Sequence, residues 1–139
     1  MEYKRISKDE LTELKRLHRA YKAEIGEEPP TQEDFARLAL AMEEKQILFF
    51  GCFAEREMIA CCSVSPGWST FDYSASGVFE DFYISPAYRH QGIARQLVRF
   101  AREESGVSSL TVGCADCDVE MYRSLGFGIA LGNLLAYEG

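Results

Sequence analysis

Residues 79–104 read FEDFYISPAYRHQGIARQLVRFAREE. Residues 79–84 carry Phe, Tyr and Ile in alternation, which suits a strand. Ser85-Pro86-Ala87-Tyr88 ends it, because proline cannot extend a central ladder. From Gly92 onward, Ile93, Leu97, Phe100 and Ala101 recur at three- and four-residue spacing, the apolar stripe of a helix packed on a sheet. Between strand and helix lies Arg89-His90-Gln91-Gly92-Ile93-Ala94. A strand that enters a helix through a glycine leaves several backbone N–H groups unpaired. With the helix dipole they make a site for a phosphate or pyrophosphate. Taken alone, the stretch is equally a generic anion site or a tight helix start.

Downstream, Ser105-Gly106 closes the helix. Residues 110–113 read as a short strand and 119–125 as a short helix stopped by Gly126. Residues 127–131 and 134–137 read as strands around the turn Gly132-Asn133. Upstream, residues 3–6 are a candidate first strand. Ser7 with Glu10 forms a capping box ahead of a helix carrying Leu11, Leu14, Leu17, Tyr21 and Ile25. His18, beside that stripe, reads as a surface or boundary residue. Gly26 to Pro30 is a stiff acidic turn, and Thr31 with Asp34 caps a second helix bearing Phe35, Leu38 and Met42. Residues 47–54 and 58–65 are strands joined by Glu55-Arg56-Glu57, hence a hairpin. Residues 66–70 begin an irregular segment. Its Trp68 either packs over the core edge, the preferred reading, or lines a pocket. The order β-α-α-β-β-β-α-β-α-β-β predicts a three-layer α/β/α fold with one mixed sheet.

Composition narrows the function. A chain of 139 residues, 47% hydrophobic, suits one domain (1–139) and excludes disorder. No apolar run approaches a membrane span, and the first residues, MEYKRISKDE, lack a signal-peptide core. Both features lead us to expect a cytoplasmic protein without a membrane partner. Fifteen Lys and Arg against 22 Asp and Glu leave a net charge of −7, which disfavours nucleic acid. That acidity suits a cationic amine, and equally serves solubility. The cysteines, Cys52, Cys61, Cys62, Cys114 and Cys117, are odd in number, and small buried side chains are their default. Cys114-x-x-Cys117 has no second pair, so no metal site is expected.

Arg89-x-x-Gly92-x-Ala94, following a strand that ends in Ile-Ser-Pro, resembles the acetyl-CoA motif of the GNAT family of N-acetyltransferases. Residues 80–84 resemble that family's splayed central strand, nearest to the diamine acetyltransferase branch. Met121-Tyr122-Arg123-Ser124-Leu125-Gly126-Phe127 resembles a second family motif at the expected distance. The resemblance implies that the backbone amides of the loop Arg89, His90, Gln91, Gly92, Ile93, Ala94 and Arg95 grip the CoA pyrophosphate. It implies that backbone groups of Phe82, Tyr83 and Ile84 pair with the pantetheine arm and bind the reaction's oxyanion. By the same resemblance Glu80 is the base or amine-binding residue and Tyr122 the acid that meets the leaving thiolate. Two departures stand out. Ala115 occupies a position where the family often has asparagine, with Asp116 a neighbour able to substitute. His90 stands where many members have glycine.

The chemistry asks for these residue types. An ammonium has no lone pair, and a lysine-like amine titrates near pH ~10, so a carboxylate must take its proton. Glu80 and Asp81 are adjacent on a strand and face opposite ways unless a bulge intervenes, in which case Asp81 is the fallback. Glu24, Glu27 and Glu28 attract an ammonium group or are simply solvated. The expected reaction is acetyl transfer from acetyl-CoA to a small-molecule amine in a ternary complex, without a metal. Alternatives are a protein lysine or N-terminal acetyltransferase and a non-catalytic acyl-CoA sensor. Homodimerisation is left open.

Overall fold

A computed structural model describes residues 1–139. Short-range hydrogen bonds set the helix starts. Ser7 N–H donates to Glu10 Oε1 (2.9 Å) while Asp9 N–H donates to Ser7 Oγ (3.2 Å), opening a 3-10 turn that leads into α1, Leu11–Glu24. Thr31 and Asp34 cap each other in the same way at the start of α2, Gln32–Glu43. Both capping boxes satisfy N–H groups that would otherwise be orphaned.

The strands are β1 (Glu2–Arg5), β2 (Leu48–Ala54), β3 (Glu57–Ser69), β4 (Ser74–Ile84) and β5 (Ser109–Thr111). They form one five-stranded sheet in the order β1-β2-β3-β4-β5. Neighbours are antiparallel except β4 and β5, which are parallel, so the sheet is mixed. Helix α3, Ile93–Ser105, covers one face, where Ile93, Leu97 and Ala101 join Phe50, Cys62, Val64 and Phe79. Helix α1 covers the other, where Leu14 and Leu17 meet Phe49, Phe53, Met58, Cys61 and Tyr83, with Leu38 and Met42 of α2 alongside. A last short helix, α4, spans Val119–Ser124. The three-layer α/β arrangement is the expected one.

Strands β4 and β5 pair only from Ser76↔Ser109 to Val78↔Thr111. β4 then runs six residues further, to Ile84, with no strand paired along that edge. This is the splay, between β4 and the edge strand β5. Gly77, paired with Leu110, has no room for a side chain, since a Cβ there would lie 2.6 Å from Val64 Cγ1 of β3 and 3.3 Å from Leu110 Cδ2 of β5.

Three sequence expectations need correction. Residues 66–69 are not irregular but continue β3, with Pro66 opposite Gly77 and Trp68 opposite Ala75. Pro66 is tolerated because β2 reaches only as far as Val64, so no ladder bond is lost on that side. Trp68 therefore does not pack on the core, contrary to the preferred reading. It stands 63% exposed on the protruding hairpin, edge-on to Tyr73 at 6.1 Å. The strands expected at 127–131 and 134–137 are absent. Beyond Phe127 no backbone group makes a backbone hydrogen bond, and Ile129, Leu131, Leu134, Leu135 and Tyr137 are exposed. Their apolar pattern supplies β propensity, but a strand also needs an edge to pair with. Finally, Cys52, Cys61 and Cys62 are buried as expected, whereas Cys114 and Cys117 are exposed.

Candidate active site

The centre of the site is an irregularity in β4. Ser63 pairs with Glu80 and Cys61 with Tyr83, so two residues of β4, Asp81 and Phe82, oppose the single residue Cys62. This is a β-bulge, and Asp81 at its tip has φ +53°. A bulge resets the side-chain alternation. Phe79 before it, and Phe82 and Ile84 after it, all lie on the α3 face, while Tyr83 lies on the α1 face. Glu80 and Asp81 consequently share the α1 face instead of opposing each other. Asp81 Oδ2 accepts a 2.7 Å hydrogen bond from Ser63 Oγ, which is itself fully buried. Glu80 is exposed and has no such partner.

The end of β4 offers free backbone groups to the splay. Ser85 N–H donates to Ile59 O of β3 (2.8 Å). Strand alternation then turns Tyr83 N–H toward β3 and sends the N–H groups of Phe82 and Ile84 into the gap left by β5. Of the three residues named from the sequence, Phe82 and Ile84 are thus the available donors, and Tyr83 is not. Ile84 C=O, on the same edge, is held by Arg89 Nε at 2.8 Å.

After a 3-10 turn at Pro86–Tyr88 the chain enters the loop. Arg89 N–H closes that turn on Pro86 O (3.3 Å). From His90 to Arg95 no backbone N–H has a hydrogen-bond partner, and the first helical bond of α3 is Gln96 N–H to Gly92 O. Two left-handed residues, His90 (φ +63°) and Gly92 (φ +85°), shape this concave run of donors. A Cβ on Gly92 would meet no protein atom within 4 Å, so the space beside it is open. Orphan donors, a helix N-terminus and open space together fit the phosphates of a nucleotide. The arginine side chains of the loop have partners within the protein. Arg89 Nη2 binds Glu24 Oε1 of α1 at 2.7 Å, and Arg95 Nη2 binds Ser124 O at 2.6 Å. Each guanidinium is thus held by a protein partner through Nη2, and the unpartnered donors of the loop backbone are main-chain N–H groups.

Tyr122 of α4 reaches toward the splay. Its ring lies 6.3 Å from Phe82 and 5.9 Å from Phe127, and its hydroxyl makes no hydrogen bond within the chain. Partial burial, then Asp118 and Cys114, push its pKa up, which keeps the phenol protonated and able to donate.

Two residues of α1 were undervalued from sequence. Tyr21 was read as one member of an apolar stripe. Its phenol is pushed up to about 12 by burial and then by Asp81, Tyr122, Glu27 and Glu80, which places it among the candidate base and acid. His18, expected at the surface, is 9% exposed, wedged among Tyr21, Phe35 and Phe49, and its Nδ1 has no partner. Burial pushes its pKa down, partly opposed by Asp81. A helical stripe specifies which face is covered, not which neighbours cover it, so neither environment was legible. Two of the three acids named around this turn have basic partners: Glu24, at the end of α1, pairs with Arg89, and Glu27 with Lys22 at 2.7 Å.

The splay, the free amides and the order of elements coincide with those of a known family. Residues 45–129, more than half of the chain, match the model of the acetyltransferase (GNAT) domain. The chain belongs to the GNAT acetyltransferases. No curated protein sequence matches it. Solved structures share the fold at low identity. An aminoglycoside acetyltransferase from an uncultured soil metagenomic sample, in complex with sisomicin, is 14% identical, with 99% of this chain and 95% of that one aligned at TM-score 0.83. AAC(6′)-Iy in complex with the bisubstrate analogue CoA-S-monomethyl-acetylneamine is 14% identical over 99% and 97%, at TM-score 0.82. Glucosamine-6-phosphate N-acetyltransferase from Arabidopsis thaliana is 14% identical over the whole of both chains, at TM-score 0.73. As a GNAT enzyme the protein is an N-acetyltransferase, and its acetyl donor is acetyl-CoA.

Proposed function

We propose that the chain forms a single acyl-CoA N-acyltransferase domain that acetylates a primary amine of a small molecule by direct attack in a ternary complex. The observation that carries this reading is the unbroken run of unpartnered N–H groups from His90 to Arg95 beside the splayed edge of β4. Bound acetyl-CoA supplies the activated acetyl group and a thiolate leaving group.

The chain's own residues divide the remaining work. The main chain of His90, Gln91, Gly92, Ile93, Ala94 and Arg95 holds phosphate oxygens, with no side-chain charge required. Phe82 and Ile84 N–H groups extend β pairing to an amide-bearing ligand arm or stabilise negative charge on the acyl oxygen. They are fixed by β4 and need no reorganisation. Glu80, exposed and unpaired on the α1 face, takes the proton from the acceptor ammonium. Asp81, held by Ser63, stays on the same face as a fixed negative charge that favours a cation nearby. Tyr122 donates a proton to the departing sulfur. A small-molecule acceptor is supported by the two adjacent carboxylates beside Tyr21, and by neighbours solved with aminoglycoside-type ligands.

The test is thiol release from acetyl-CoA across polyamines, aminoglycosides, amino acids and peptides. Turnover with a small amine, and none with peptides, is the expected outcome. With the best acceptor, Glu80→Gln should lose most rate at and below neutral pH and recover partly as pH rises, because the amine then deprotonates unaided. A pH–rate profile matching the parent's would remove Glu80 as the base.

A further inference from the structure

Helix α4 carries the proposed acid, yet little holds it. It has six residues and none is buried. Isolated helices that short are not stable in water, so tertiary contacts must keep it in place. Tyr122, Leu125 and Phe127 pack partly against the α3-side core. Its C-terminal carbonyls are satisfied by near neighbours: Met121 O by Ser124 Oγ, Tyr122 O by Leu125 and Phe127 N–H, Arg123 O by Gly126 N–H. Ser124 O is the exception. Its partner is Arg95 Nη2, 2.6 Å away and 29 residues earlier in the chain. This is the one hydrogen bond joining residues 112–139 to the rest of the protein. A cation at a helix C-terminus is also favoured by the helix dipole.

Arg95 belongs to the first turn of α3, and its backbone N–H is the last of the free donors in the cofactor cradle. One residue therefore touches both halves of the site, with its main chain in the cradle and its side chain on the acid's helix.

We propose that Arg95 is a positioning residue for acetyl transfer: by holding Ser124 O it sets the Tyr122 hydroxyl in register with the cofactor loop. The proposal rests on Tyr122 being the acid. It assigns the guanidinium no contact with substrate or cofactor. The side chain acts through Tyr122, and only when the proton is delivered.

This makes a prediction that a general stabilising role does not. Single-turnover acetyl transfer and calorimetric acetyl-CoA affinity are measured for Arg95→Ala, Arg95→Lys, Tyr122→Phe and the double variant Arg95→Ala/Tyr122→Phe. Arg95→Ala should slow transfer by about five- to tenfold, the scale of one lost hydrogen bond. It should change acetyl-CoA affinity less than about twofold, because the cradle is main chain. Arg95→Lys, which keeps a donor at shorter reach, should restore part of the rate. In the Tyr122→Phe background, Arg95→Ala should add almost nothing, since residues that act as a unit are non-additive. Full multiplication of the two losses overturns the proposal. So does a drop in acetyl-CoA affinity that accounts for the slower rate, or a parental rate in Arg95→Ala while Tyr122→Phe is slow. A parental rate in Tyr122→Phe instead overturns the acid assignment, and Arg95 then has nothing to act through.

Discussion

In β2 every residue from Leu48 to Phe53 is buried, whereas beyond Val107 the chain has no buried residue. The two regions sit on opposite sides of the splay and both serve the site. The proposed base and the cofactor cradle hang from the well-held side, through Phe79 of β4 and through Ile93 and Leu97 of α3. The proposed acid hangs from the other, on a short helix with partial packing and one long-range hydrogen bond. Burial makes the first region expensive to disturb and insensitive to surface changes. The second is cheap to disturb in stability, but any displacement moves Tyr122. Loss of stability and loss of rate should therefore separate along the chain.

The largest contrast is in the core. Phe50 is fully buried and packs edge-on to Phe100 at 6.0 Å, so Phe50→Ala should cost about 3–5 kcal/mol in chemical denaturation. Leu134→Ala, on an exposed side chain, should change stability by less than about 0.5 kcal/mol. Comparable losses at the two positions would erase the distinction between the regions. Next comes Tyr122→Phe, which keeps the ring and its contacts with Phe82 and Phe127. Folding and acetyl-CoA affinity should stay near parental while single-turnover transfer falls by about 10²-fold, the lower end for a general acid, because thiolates leave readily.

Gly92→Val probes the cradle. Its Cβ would enter open space at a φ of +85°, so the cost has two parts. Backbone strain should lower stability by about 1–2 kcal/mol, and a branched side chain beside the free amides should weaken acetyl-CoA binding by about tenfold in calorimetry. Unchanged affinity in a folded variant would take the loop out of the cofactor site. The smallest expected effect is at His90, a side chain held at φ +63° where glycine is unstrained. His90→Gly should raise stability by only about 0.5 kcal/mol, relief of strain being offset by the greater freedom of the unfolded chain, and should leave acetyl-CoA affinity intact. A clear loss of affinity would show that the imidazole itself contacts the ligand.

Much of the site was legible because it is local. The strand, break, glycine and helix between residues 79 and 104 are consecutive in the chain, and so are the free amides they create. The left-handed demand at position 90 was visible only as a departure from a glycine, and the structure supplies its meaning. What could not be read was any feature set by cross-strand register. The offset of Ser63↔Glu80 against Cys61↔Tyr83 is a property of two strands together, and it alone brings Asp81 onto the face of Glu80. The partners of Arg89 and Arg95 were equally invisible, because Glu24 and Ser124 O come from α1 and α4, far away in the chain.

The sequence by itself determined the element order, both capping boxes, the β2–β3 hairpin and the strand-to-helix loop with its main-chain donors. Each depends on interactions within a few residues, whose free energies are decided before distant parts meet. Only the tertiary structure decided the face that each carboxylate takes, the placing of Tyr21 among Asp81, Glu80 and Tyr122, and the burial of His18. It also decided the fate of residues 127–139, whose apolar pattern resembles two strands but which remain unpaired. Alternation expresses a readiness to pair, and pairing needs a second edge at the right distance and register, which no single segment can specify.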